Sequence, residues 1–196
     1  MTERIGAIVL AGGRSSRFGR DKLAEIVDGR PLLDHAIDAV RVVATDVVVV
    51  VAPGANLSVP PGVQVARDPV AFEGPLAGLA AGFAEFDASV ERVIVVAGDM
   101  PSLVPAVLRG LLDVVVSGAD AAILAHDGDA LPLPMALRRA SAEPAVRKLL
   151  GGGERRLRAL TGALGAEVIE ESTWRANDPT AATLNDIDTP EDLPSP

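Results

Sequence analysis

Continuous apolar runs alternate along this chain with segments whose apolar positions recur at helical spacing. Residues 4–10, "RIGAIVL", are apolar beyond the arginine and rich in branched side chains, as a strand buried on both faces requires. Residues 30–43 place Leu32, Leu33, Ala36, Ile37 and Val40 on one side of a helix, with Pro31 in its first turn. A second buried strand, "DVVVVVA", follows at 46–52, then a turn-rich stretch, "PGANLSVPPG", and a short strand at 63–66. The Ala-rich segment 74–86 predicts a helix whose glycines allow close packing on a sheet, and "RVIVVA" at 92–97 predicts another buried strand. A helix over 102–115, with Ser102 as its cap, comes next. Weaker strands at 120–126, 133–138 and 166–171 are interleaved with helices near 141–150 and 154–163.

Strands alternating with helices of this length specify βαβ units, a mostly parallel sheet and a three-layer α/β sandwich. No linker, repeat or low-complexity tract divides the 196 residues. In such folds ligands collect at the carboxyl ends of the strands. The segments beginning at Ala11, Pro53, Arg67 and Gly98 are therefore where chemistry is expected.

Composition narrows the classes. The chain is 48% hydrophobic and 23% charged, enough for a packed core, and its 3% of aromatics leaves that core to Val, Leu, Ile and Ala. It has no cysteine, which removes disulfides, thiolate metal sites and Cys nucleophiles. "MTERIGAIVL" is a poor signal peptide and no apolar stretch reaches spanning length, so the expectation is a soluble, cytoplasmic protein without a membrane partner. A net charge of -9 disfavours nucleic acid. Yet residues 11–22 carry Arg14, Arg17, Arg20 and Lys22 against Asp21, four charges less one, or +3. Residues 147–158 carry Arg147, Lys148, Arg155, Arg156 and Arg158 against Glu154, five less one, or +4. Two basic islands in an acidic chain fit small anionic ligands; a solvated surface is the plain alternative for each.

The first island sits in "LAGGRSSRFGRDK", residues 10–22, directly after the first strand. It matches neither G-x-G-x-x-G nor the P-loop. Gly12 and Gly13 still allow the backbone to approach a phosphate, and the arginines and Lys22 add charge-assisted hydrogen bonds to the same oxygens. In "AGDMP", Asp99 falls just past a buried strand; it either caps the helix starting near Ser102 or, beside a phosphate loop, holds a cation of the Mg²⁺ type. Asp68, in "RDPVAFEGPLAGL", either accepts hydrogen bonds from a base or sugar or stabilises a turn before Pro69. "LNDIDTPEDL" offers Asn185 or Asp186 as a metal ligand or its support, and Asp188 or Thr189 as a helix cap. The two histidines, His35 and His126, read as structural or exposed, and no nucleophilic triad is visible. Phosphoryl-type transfer fits, because it needs positioning and charge neutralisation more than a protein nucleophile.

Together these segments resemble the MobA-like nucleotidyltransferases, and within them the molybdenum cofactor guanylyltransferases. "LAGGRSSRFGRDK" is similar to that family's L-A-G-G-x-S-x-R-M-G-x-D-K, and "DPVAFEGPLAGLAAG", "AGDMP" and "NDIDTPEDL" resemble its later motifs in order, over roughly residues 5–193. The resemblance implies a Rossmann-like fold in one domain over 1–196, with a nucleotide-binding half to about residue 100 and an acceptor-binding half beyond it. It implies transfer of GMP from GTP to the phosphate of molybdopterin or its molybdenum form, with Mg²⁺ as cofactor, by a monomer or weak homo-oligomer. Leu10, Ala11, Gly12, Gly13 and Arg14 then match the nucleotide-contacting loop, Lys22 the triphosphate lysine, Asp68 a nucleotide-binding Asp and Asp99 the metal ligand. Arg17 or Arg14 would hold the leaving pyrophosphate with Lys22, and Arg155, Arg156 and Arg158 would receive the pterin. One departure is "VAPGAN", where Ala52 or Pro53 stands in place of a family Asn and Asn56 is a substitute. The other readings are a cytidylyltransferase or other nucleotidyltransferase acting on a different phosphorylated acceptor, and a catalytically silent nucleotide-binding module.

Overall fold

The computed structural model describes residues 4–12, 22–55, 57–68, 74–187, 189 and 192. Nine strands run in chain order as β1 (Arg4–Ala11), β2 (Ile26–Val27), β3 (Arg30–Pro31), β4 (Asp46–Val51), β5 (Gln64–Arg67), β6 (Val90–Ala97), β7 (Ala121–His126), β8 (Asp129–Arg138) and β9 (Glu167–Ile169). The helices are α1 (Leu32–Arg41), α2 (Pro75–Ala84), α3 (Pro105–Val116), α4 (Arg139–Gly151), α5 (Leu157–Ala163) and α6 (Glu171–Trp174), with 3-10 turns at Lys22–Ala24 and Ala182–Leu184. Seven strands form one sheet in the order β5-β4-β1-β6-β8-β7-β9. β8 alone is antiparallel to its neighbours, so the sheet is mostly parallel, as expected. Among the described residues no helix is long and apolar enough to cross a membrane.

Strand alternation divides the core. Ala7, Val9, Val47, Val49, Val51, Ile94 and Val96 point to the layer holding α1 and α3, while Ile8, Val48, Val50, Val93 and Val95 point to the layer of α2, α4 and α5. Both faces are covered, which is why the central strands read as unbroken apolar runs. α2 lies close to β1 because it presents glycines there: a Cβ on Gly82 would stand 2.8 Å from Ile8 Cδ1, and one on Gly78 3.4 Å from Leu10 Cδ2.

Two elements differ from expectation through the same chemistry. Asp28–Gly29 and Asp127–Gly128 both have positive φ and close tight turns, giving the β2–β3 hairpin and the β7–β8 hairpin. The second turns the chain back on itself, so β8 begins at Asp129 and enters the sheet antiparallel. Its register slips opposite Ile123 and Leu124, where β8 carries Pro132 and Pro134, which cannot donate to a ladder. α3 starts at Pro105 with Val104 at the cap position, so Ser102 does not cap it.

The two kinds of helical glycine make opposite predictions. Gly82→Ala should destabilise by about 1–3 kcal/mol, because Ile8 meets the new methyl with three atoms at 3.0 Å or less and cannot yield with one rotamer. Gly110→Ala, in α3 with nothing within 4 Å of the added carbon, should stabilise by roughly 0.5–1 kcal/mol. Urea unfolding of the two variants checks the pair.

Candidate active site

The parallel strands end side by side, and backbone hydrogen bonds extend their alignment into the loops. The Gly98 amide donates to Leu10 O at 2.9 Å, and the Asp68 amide donates to Val51 O at 3.0 Å. Leu10, Ala11, Gly12, Asp68 and Asp99 therefore share the carboxyl edge of the sheet. Gly98 is a tight fit: a Cβ would lie 3.0 Å from Leu33 Cδ1 and 3.5 Å from Leu10 O. Gly13, Arg14, Arg17 and Arg20 lie outside the described residues, as does Asn56.

Lys22 and Asp99 meet at this edge. Lys22 Nζ donates to Asp99 Oδ2 at 2.6 Å, and the side chains are only 13% and 20% exposed. The same ammonium donates to Ile187 O at 3.0 Å, while the Ile187 amide donates to Asp99 O at 3.0 Å. Three segments far apart in sequence thus converge on one cation. Asp99 does not cap α3, which removes the alternative left open by its position. Ile187 acts here through its main chain, which a reading of side chains cannot anticipate; the only signal was its place in "NDIDTP". Asn185 and Asp186 immediately precede it and are exposed. Thr189 receives a capping contact, its amide and hydroxyl donating to Asp192 Oδ2 at 2.7 and 3.0 Å, while Asp188 lies outside the described residues.

The second basic island abuts the start of α2, beyond β5. Arg155 O accepts the Leu76 amide at 3.2 Å at the start of α2, and the Arg155 backbone lies where a Cβ on Gly74 would be, 3.0 Å from its carbonyl oxygen. Gly74 has φ +89°, a second reason for glycine there. Arg156 donates through Nε and Nη2 to the two oxygens of Glu154 at 3.0 and 2.9 Å. Arg155 Nη1 donates to the carbonyls of Glu154 and Leu150, and Arg158 Nη2 to Ala130 O. Arg155, Arg156 and Arg158 are thus each hydrogen-bonded within the chain.

His35 is structural. Arg30 Nη2 donates to His35 Nδ1, so Nε2 carries the proton and donates to Val27 O at 2.8 Å, fastening the β2–β3 hairpin to α1. His126, Asp127 and Glu171 bring potential ligand atoms within 4.8 Å of one another. Glu171, however, accepts the Asp127 amide at 2.9 Å and lies 2.8 Å from Arg175 Nε. The Asp127 amide, with the Arg175 and His126 charges, holds its carboxyl below the ordinary range. These contacts tie the β7–β8 turn to α6.

Residues 7–168 match the model of the MobA-like NTP transferase domain. The chain belongs to the MobA-like NTP transferase family. A relative from Chloroflexus aggregans named probable molybdenum cofactor guanylyltransferase is 34% identical, spanning 96% of this chain and 91% of the relative. One of the same name from Mycobacterium avium is 32% identical, over 92% and 93% of the two chains. The crystal structure of molybdopterin-guanine dinucleotide biosynthesis protein A from Archaeoglobus fulgidus superposes with a TM-score of 0.79 at 25% identity, covering 96% of this chain and 94% of that one. This MobA-like chain thus shares its α/β architecture with that protein over nearly its whole length.

Glu154 gives a direct test of the paired island. The Arg156 guanidinium, then the Arg155 and Arg156 amides, pull its pKa from 4.5 to about 2. A depressed folded pKa means the contribution to stability is complete above 4.5 and is lost as pH falls toward 2. In a carboxyl NMR titration Glu154 should titrate near the bottom of that window, and Arg156→Gln should move its midpoint up toward the ordinary value. High salt should weaken the effect, because Arg156 is 81% exposed.

Proposed function

We propose that this protein transfers GMP from GTP to the terminal phosphate of molybdopterin or its molybdenum form and releases pyrophosphate. The observation that carries the reading is the Lys22–Asp99 pair at the carboxyl edge of the sheet, in a MobA-like chain. The two relatives above, matched over more than nine tenths of this chain, support a guanylyl donor and a molybdenum-cofactor acceptor through their names.

The roles follow from charge. Asp99 supplies the hard carboxylate oxygens that a divalent cation prefers, at a strand end where phosphates would lie, and Mg²⁺ fits that donor set. When bound, the cation would neutralise charge on the α-phosphate and the leaving pyrophosphate. Lys22 is within reach of the same place; given a phosphate in exchange for Asp99, its ammonium holds the leaving group as charge accumulates there. Leu10, Ala11 and Gly12 present main-chain groups to the nucleotide, and Gly13, Arg14 and Arg17 complete that loop. Asp68 offers acceptors to the N1–H and N2–H₂ of guanine or to the ribose, and the Pro53 carbonyl is a further acceptor. The attacking phosphate is already an anion and needs no general base. Arg156, released from Glu154 by an anion of higher charge, is suited with Arg155 and Arg158 to receive the pterin.

Pyrophosphate release with each NTP, Mg²⁺ and molybdopterin tests the reading: GTP should be the preferred donor, and preference for CTP would reassign it. Asp99→Ala should abolish transfer while leaving the circular dichroism spectrum and the cooperativity of unfolding unchanged. Lys22→Ala should lower kcat by about 10² or more, the scale for losing one electrostatic contact to a developing charge; a change confined to KM would restrict the lysine to ground-state binding. Joint reversal of Arg155 and Arg156 to Glu should raise KM for the pterin and spare GTP affinity measured by calorimetry.

A further inference from the structure

Asp178 is 3% exposed, and its carboxylate is surrounded by donors from its own turn. Oδ1 accepts the Ala182 amide at 3.0 Å and the Thr180 hydroxyl at 3.3 Å, and Oδ2 accepts the Thr183 amide at 2.7 Å. Burial opposes ionisation, yet bonds from the Thr183 amide and hydroxyl, the Ala182 amide and the Thr180 hydroxyl outweigh it and hold the carboxyl below its ordinary range. The turn also keeps Ala181 at φ +57°, in the left-handed region that a non-glycine residue adopts only at a cost. Thr183, fully buried, accepts the Val104 amide on its hydroxyl at 3.0 Å. Val104 caps α3 and lies five residues beyond Asp99. Ile187, which contacts both Lys22 and Asp99, lies four residues beyond Thr183. The Thr183 hydroxyl therefore joins the loop that carries Asp99 to the segment that carries Ile187.

We propose that Asp178 and Thr183 are positioning residues for the Lys22–Asp99 centre: Asp178 locks the turn that aims the Thr183 hydroxyl at Val104, and this fixes the Ile187 main chain against Lys22 and Asp99. Neither side chain contacts the reacting groups. Their effect is on placement, where a displacement of about 1 Å at a distance from the chemistry is worth on the order of 10² in rate. Only the kinetic part of the test rests on the guanylyl-transfer reading.

Three variants of the full chain separate placement from packing. Asp178→Asn sets an NH₂ group against a backbone N–H. Thr183→Val keeps the shape and removes the hydroxyl, whereas Thr183→Ser keeps the hydroxyl. Two readouts are used: GMP transfer from GTP to molybdopterin with Mg²⁺, and competitive reductive methylation without nucleotide. The chain has two lysines, and exposed Lys148 on α4 is the internal reference for Lys22. At a temperature where each variant is folded, Asp178→Asn and Thr183→Val should lower kcat about tenfold or more with KM for GTP within about threefold. They should also raise the Lys22-to-Lys148 labelling ratio about threefold, while Thr183→Ser stays within about twofold of the parent in both. Parental kcat and labelling in Asp178→Asn or Thr183→Val overturns the proposal, as does a loss in Thr183→Ser equal to that in Thr183→Val, which would assign the effect to packing. If Asp178→Asn does not fold, the Val and Ser variants decide alone. A parent chain that transfers no GMP overturns the functional reading instead, and the labelling ratio still decides the positioning.

Discussion

One ammonium group organises the carboxyl edge of this sheet. Lys22 Nζ is bonded to the Asp99 carboxylate and the Ile187 carbonyl, and so draws together three segments that are far apart in sequence. Two unit charges at contact gain about 4 kcal/mol at an effective dielectric of 20, while removing each from water costs several. The gain does not exceed the cost, so the pair is not itself a source of global stability. Its value lies in balance: each of two mostly buried charges has the other as its counter-charge.

The same economy appears at the second basic island. Glu154 accepts from Arg156 on both oxygens, and the Arg155 carbonyl accepts an amide of the first turn of α2. Both sets of charges are thus paired within the chain. What distinguishes them is support: Lys22 and Asp99 are mostly buried and held from several segments, whereas Arg156 projects into solvent.

Much of this was legible in the residues. Unbroken apolar runs located β1, β4 and β6, because burial on both faces removes the alternation that would confuse a strand with something else. Strand ends then located Asp68 and Asp99, and loop composition located Lys22. The hairpins were less visible because short apolar stretches beside them carry weak periodicity, although the Asp-Gly pairs at 28–29 and 127–128 were the usable sign. The cap of α3 was misplaced because its amide is satisfied by Thr183, seventy-nine residues away. Main-chain contacts such as those of Ile187 leave no mark on side-chain identity at all.

Arg139, the first residue of α4, donates to the carbonyls of Phe83, Phe86, Asp87 and Val90, where α2 ends and β6 begins. Those carbonyls are made about fifty residues before the guanidinium that closes them. The end of α2, the start of β6 and the start of α4 are therefore held together by one guanidinium across about fifty residues of sequence, and β8, which runs directly into α4 and pairs with β6, leads to the same junction.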